Sequence, residues 1–146
     1  MFKQIAPEEF IVEEITKDGL VLEIGEKYSF PSEELERNYY CNFVMQKKNW
    51  NTIQAIQEIA RRLGIKMSRF SFAGTKDRNA ITTQLVSCFA LEKERLLPLT
   101  DIRDVLINGV WISKNGVKLG DLNGNRFTIT LTKENSGKEL TTSEVL

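Results

Sequence analysis

Along the chain, short runs of β-branched and aromatic residues alternate with polar turns, and one amphipathic stretch sits in the middle. Glu9-Phe10-Ile11-Val12-Glu13-Glu14-Ile15 mixes apolar with charged positions, and Lys17-Asp18-Gly19 supplies a turn into Leu20-Val21-Leu22-Glu23-Ile24. That spacing predicts a β-hairpin. A polar loop over 29–38 precedes a strand over 39–46, which runs out at Lys47-Lys48-Asn49-Trp50. Apolar spacing then changes from alternation to a helical stripe of Ile53, Ile56, Ile59, Ala60 and Leu63. Asn51 is a good N-cap with Gln54 at the third helical position, and Gly64 stops the helix.

The second half reads as strands joined by turns. A short strand over 69–72, the turn Ala73-Gly74-Thr75-Lys76-Asp77-Arg78-Asn79 and a longer strand over 80–89 form one unit. Residues 92–97 predict a brief helix. The runs 105–114 and 117–121 flank Asn115-Gly116, a two-residue hairpin signal. A last strand over 126–132 follows the turn Leu122-Asn123-Gly124-Asn125. The stretch 138–146 offers a capping residue, an acidic first turn and two apolar positions, which fits a helix beginning as the sequence stops. On that reading the chain is a piece of a longer protein; the alternative is a frayed tail.

Composition narrows the chemistry. The 146 residues and 41% apolar content fit one globular domain or a piece of one. Histidine is absent, which removes the commonest general base and metal ligand. Metalloenzymes and Ser-His-Asp hydrolases lose most of their weight, and no metal site is expected. Cys41 and Cys88 sit in apolar alternation and read as buried thiols of a reducing compartment. No signal peptide opens the chain, and no apolar run approaches the ~18 residues that span a bilayer. A cytoplasmic location is the expectation.

The formal charge is zero, with 20 basic and 20 acidic residues, yet the charges are segregated. Residues 1–37 hold four basic and ten acidic residues, whereas 47–78 hold eight basic and two acidic. Trp50 and Phe70 interleave with the cations of this middle zone, a composition suited to phosphates and unstacked bases. A solvated helix face with polar loops would look the same.

Gly74-Thr75-Lys76 superficially resembles a phosphate-binding loop, but no glycine precedes Gly74 by five positions, Asp77 follows the lysine, and a strand comes next. The segment instead sets a carboxylate between two cations, Lys76-Asp77-Arg78, with the small residues Ala73 and Gly74 allowing close approach. Flanking cations favour the ionised carboxylate, the form that acts as a nucleophile. A turn aspartate capping backbone amides would have the same spacing.

Longer segments say more. Phe72-Ala73-Gly74-Thr75-Lys76-Asp77-Arg78-Asn79-Ala80-Ile81-Thr82-Thr83-Gln84 closely resembles the catalytic motif of the TruD family of tRNA pseudouridine synthases. Pro7-Glu8-Glu9-Phe10-Ile11-Val12-Glu13-Glu14 is similar to that family's N-terminal signature. Lys48-Asn49-Trp50-Asn51-Thr52 and Gly124-Asn125-Arg126-Phe127 match two further segments in the same order.

The resemblance implies an α+β fold with a mixed, mainly antiparallel sheet and helices on one face. It implies isomerisation of a uridine in tRNA, position 13 in bacterial members, to pseudouridine without cofactor or metal. Asp77 matches the family's essential nucleophile, attacking ribose C1′ or uracil C6. Phe127 matches the aromatic that stacks on the target base, Asn125 the base-contacting asparagine, and Phe10 a phenylalanine lining the pocket. Without the family, Phe10 and Phe127 read equally as core strand residues and Asn125 as a turn residue. Lys76, Arg78 and Lys48 are the cations placed to meet RNA. Lys3 matches a basic residue that pairs with the nucleophile, with its spacing to Phe10 shifted by one and Gln4 in the alternative register.

Family chains run more than twice this length and carry an inserted domain. The expectation is therefore that residues 1–146 are the N-terminal part of the catalytic domain, inactive alone, with tRNA as partner and the missing half or a second copy completing the fold. Two other classes stay open: a noncatalytic RNA-binding module, and a structural half-domain that associates through an open sheet edge.

Overall fold

The computed structural model describes residues 6–130 and 139–144. Its frame is one sheet built from β1 (Phe10–Thr16), β2 (Tyr40–Lys48), β3 (Phe70–Phe72), β4 (Ile81–Phe89), β5 (Val105–Ser113), β6 (Leu122–Thr130) and β7 (Glu139–Glu144). The strand order is β5-β2-β4-β1-β6-β7, and β3 pairs β4 off this path. Every pairing is antiparallel except β1 with β4, whose register sets Val12 beside Thr82. The sheet is thus mixed and mainly antiparallel, as the resemblance implied.

One face is covered by α1 (Thr52–Leu63) and the short α2 (Lys93–Leu96). Alternation along β2 aims Cys41, Phe43 and Met45 at this layer, and along β4 it aims Val86 and Cys88. These side chains bury Ala55, Ile56, Ile59 and Ala60 of α1 and Leu96 of α2 in a single apolar core. The helix ends as its residues dictate: the Asn51 side chain accepts from the Gln54 amide at 2.8 Å, and Gly64 closes it in the left-handed conformation, φ 67°. Cys41 and Cys88 face each other across β2 and β4 as buried thiols, pushed by burial up to about 12 and about 11.

The opposite face is packed by irregular chain. Tyr28 donates its amide to the Asn108 carbonyl at 2.7 Å, Phe30 packs on Trp111, and the Val117 amide donates to Ser87 Oγ at 2.7 Å. Gly109 is required where this layer presses on β5: a Cβ there would come within 2.5 Å of the Tyr28 carbonyl oxygen.

Several sequence expectations fail or are met only in part. The hairpin over 9–24 forms only at its turn end, where the Thr16 amide donates to the Leu20 carbonyl at 2.8 Å and the Leu22 amide to the Glu14 carbonyl at 2.9 Å, because β4 takes that edge of β1 at Ile11, Val12 and Glu13. Residues 20–24 retain only one bridge, Ile15 to Val21, and bury Leu22 beneath the sheet. The Asn115-Gly116 hairpin is also absent: β5 pairs with β2, and residues 114–121 turn away to cover Asn42 and Ser87. The predicted C-terminal helix is a strand, with β7 running antiparallel to β6 from Glu139 opposite Thr130 to Glu144 opposite Asn125. The turn 122–125 belongs to β6 itself. No helix among the described residues is long and apolar enough to cross a membrane.

Candidate active site

Asp77 lies on the exposed loop between β3 and β4, and the sequence around it anchors that loop at several points. Gln84, buried at the middle of β4, donates Nε2 to the Gly74 carbonyl at 2.8 Å. Its Oε1 accepts the Thr52 hydroxyl at 2.7 Å, and Thr52 Oγ1 accepts the Lys76 amide at 2.8 Å. The first residue of α1, the centre of β4 and the loop are thereby tied together. Lys76 turns inward, and its Nζ meets Glu14 Oε2 on β1 at 2.7 Å, both side chains almost fully buried. Glu14 Oε1 also accepts the Leu85 amide at 3.0 Å. Burial pushes the Glu14 carboxyl up, and the Lys76 ammonium works against it.

Asp77 itself stays at the surface. Its Oδ1 accepts the Asn79 amide at 2.7 Å, so the Asx turn expected from spacing is present. Among the described residues its other oxygen makes no hydrogen bond. One carboxylate oxygen fixes the loop and one remains available.

The second wall is set by strand parity. Register pairs Glu14 with Asn125 and Val12 with Phe127, while Arg126 pairs with Glu13 on the opposite face. Arg126 there binds Glu13 and Glu23. Phe10 shares the face of Phe127, and their rings stack with centroids 6.0 Å apart and 10° between planes. Asn125 is buried, yet among the described residues its Oδ1 has no hydrogen-bond partner; Thr82 Oγ1, two strands away on the same face, is likewise without one among them.

The site residues expected from sequence divide cleanly. Phe10, Asn125 and Phe127 share the sheet face over which Lys76 reaches to Glu14. Lys76 is a buried structural cation rather than one exposed to RNA. Arg78 is exposed and makes no ion pair among the described residues, whereas Lys48 is paired with Glu8 at 3.0 Å. Lys3 lies outside the described residues.

Sequence reasoning gave no role to Lys47, Glu14, Thr52 or Gln84. Lys47 is the cation of β2 that points inward, its Nζ donating to the Asp77 carbonyl at 3.1 Å and the Lys76 carbonyl at 3.4 Å. The signal was parity, because Lys47 falls on the same alternation as Phe43 and Met45.

The family model for tRNA pseudouridine synthase D (TruD) matches residues 3–145. The chain belongs to the TruD family. It is 44% identical over 135 residues to the probable tRNA pseudouridine synthase D 1 of Methanocaldococcus jannaschii, covering 92% of this chain and 34% of that protein. The human pseudouridylate synthase 7 homolog is 37% identical over 72% of this chain and 16% of its own. Among solved structures, the putative tRNA pseudouridine synthase D (TruD) of Methanosarcina mazei superposes with a TM-score of 0.63 at 32% identity, over 86% of this chain and 25% of that one. This TruD-family chain spans about a third of the length of the archaeal relatives it matches.

Proposed function

We propose that this chain supplies the nucleophile and one wall of the base pocket for converting a uridine in tRNA to pseudouridine. The observation that carries the reading is the pairing of an anchored, surface-presented Asp77 with a buried acceptor, Asn125 Oδ1, that has no partner among the described residues, on the adjoining sheet face. An extruded uracil carries an N3–H donor that would satisfy such an acceptor, and the half-buried Phe127 ring offers a stacking surface.

In this mechanism the Asp77 carboxylate attacks the flipped uridine and the N1–C1′ bond breaks. The retained uracil rotates and rejoins the sugar through C5, the bond to Asp77 breaks and frees its carboxylate, the C5 proton is lost, and N1 ends protonated. The net reaction is an isomerisation and consumes no oxidant, metal or second substrate. It needs one carboxylate and a proton shuffle, which suits a chain without histidine.

Relatives about three times as long support reading the chain as the N-terminal part of the catalytic domain, completed by further protein. Completion through the β5 edge is disfavoured, since Tyr28, Ser32 and Glu33 already hydrogen-bond that strand. Residues 1–146 alone are expected to give no turnover.

Asp77→Asn tests the assignment in an enzyme preparation that contains this chain and modifies tRNA. Pseudouridine formation should vanish while tRNA affinity stays within about twofold. Turnover that survives in this variant removes Asp77 from the chemistry, and a parallel loss of binding would mark it as an RNA contact.

A further inference from the structure

Lys47 is only 1% exposed, and its ammonium forms no ion pair with a carboxylate among the described residues. The other buried lysine, Lys76, has Glu14 as counter-ion. Around Lys47 the loop contributes Lys76 and Asp77, β4 contributes the neutral Thr82 opposite it, and β5 contributes the apolar Val105. A buried ammonium without a counter-ion is costly, and a methionine would fill the same space without that cost. No ion pair among the described residues accounts for the charge at this position.

What the charge does is visible in its contacts. Nζ donates to the two consecutive carbonyls of Lys76 and Asp77, the peptide units that bracket the candidate nucleophile. We propose that Lys47 is a positioning residue for Asp77, clamping the backbone of the nucleophile's turn from below through the two carbonyls that bracket it. The proposal rests on the reading of Asp77 as nucleophile.

It has a pH signature that a purely structural lysine would not give. Burial, with Lys76 adding to it and Asp77 opposing, pushes the ammonium from its ordinary 10.5 down to about 8. Because the folded value lies below the unfolded one, the fold gains from Lys47 as pH rises from about 8 towards 10.5. Over the same interval the site loses its cation, so turnover and this part of the stability move in opposite directions.

Two measurements decide it. In the 146-residue chain, hydrogen exchange at the Asn79 amide, which bonds Asp77 Oδ1, should quicken about tenfold in Lys47→Met. In the tRNA-modifying preparation, kcat of Lys47→Met should fall about a hundredfold with KM within twofold, the scale of a misplaced reacting group. Wild-type kcat should also decline above about pH 8, and that limb should be missing in the variant. Lys47→Gln, which keeps a neutral donor, should fall between the two and covers the case in which the methionine variant does not fold. Unchanged Asn79 exchange, or kcat within twofold of wild type, overturns the proposal. The exchange result stands apart from the chemistry: Asn79 exchange can report the clamp even where Asp77→Asn leaves turnover intact.

Discussion

Beneath Asp77, two lysines and a glutamate take the places of core residues. Glu14 and Lys76 form an ion pair nearly sealed from solvent, and removing one partner leaves the other as an uncompensated buried charge. Glu14→Leu is expected to lower the unfolding free energy by about 3–5 kcal/mol. The double variant Glu14→Leu with Lys76→Met should recover at least half of that loss, as urea unfolding of both chains would reveal. Recovery is the informative part, since it separates the cost of a stranded charge from the loss of a shape. Neither residue announces this role in sequence: Glu14 reads as one more acid of an acidic N-terminal segment, and Lys76 as a cation flanking Asp77. Their partnership spans 62 residues and comes into being only when β1 lies parallel to β4.

Elements whose signals are local were legible, and elements decided by competition were not. The cap, stripe and stop of α1 lie within fourteen consecutive residues, and the helix forms where they place it. Asn115-Gly116 is an equally local turn signal, yet pairing with β2 claims β5, and the second arm of the hairpin is used to cover the sheet. The arm at 20–24 pairs only with the end of β1, because β4 takes the same edge at Ile11, Val12 and Glu13. At this scale Thr52 is the joint, linking α1 to β4 and to the Lys76 amide. Thr52→Val keeps the shape and removes both hydrogen bonds, so it should cost about 1–3 kcal/mol and raise amide exchange across residues 74–79. Exchange confined to α1 would contradict that role. On the outer face of α1, Arg61 and Arg62 hold the partly exposed Glu58 carboxyl down at about 2. Its contribution to the helix is therefore present above pH 4.5 and lost as pH falls towards 2, which carboxyl NMR titration can follow.

For the molecule as a whole, the charge count overstated the free basic surface. Of the eight cations in residues 47–78, Lys47 and Lys76 are buried under the loop and Arg69 donates to the Phe89 and Ala90 carbonyls. Lys48, Arg61 and Arg62 are paired with acids, which leaves Lys66 and Arg78 without an ion pair among the described residues. A composition count cannot distinguish a cation that meets phosphate from one that holds a turn. The fold class, by contrast, came from four motifs, whose identity carries tertiary information that periodicity lacks. Those motifs meet around one loop and one sheet face, and the account stands on the carboxylate they surround. Its most direct test is release of tritium from tRNA labelled at uridine C5, measured in the tRNA-modifying preparation with wild-type chain and with Asp77→Asn. Isomerisation through Asp77 predicts release in step with pseudouridine formation for the wild type and none above background for the variant. Release at the wild-type rate from Asp77→Asn would contradict it.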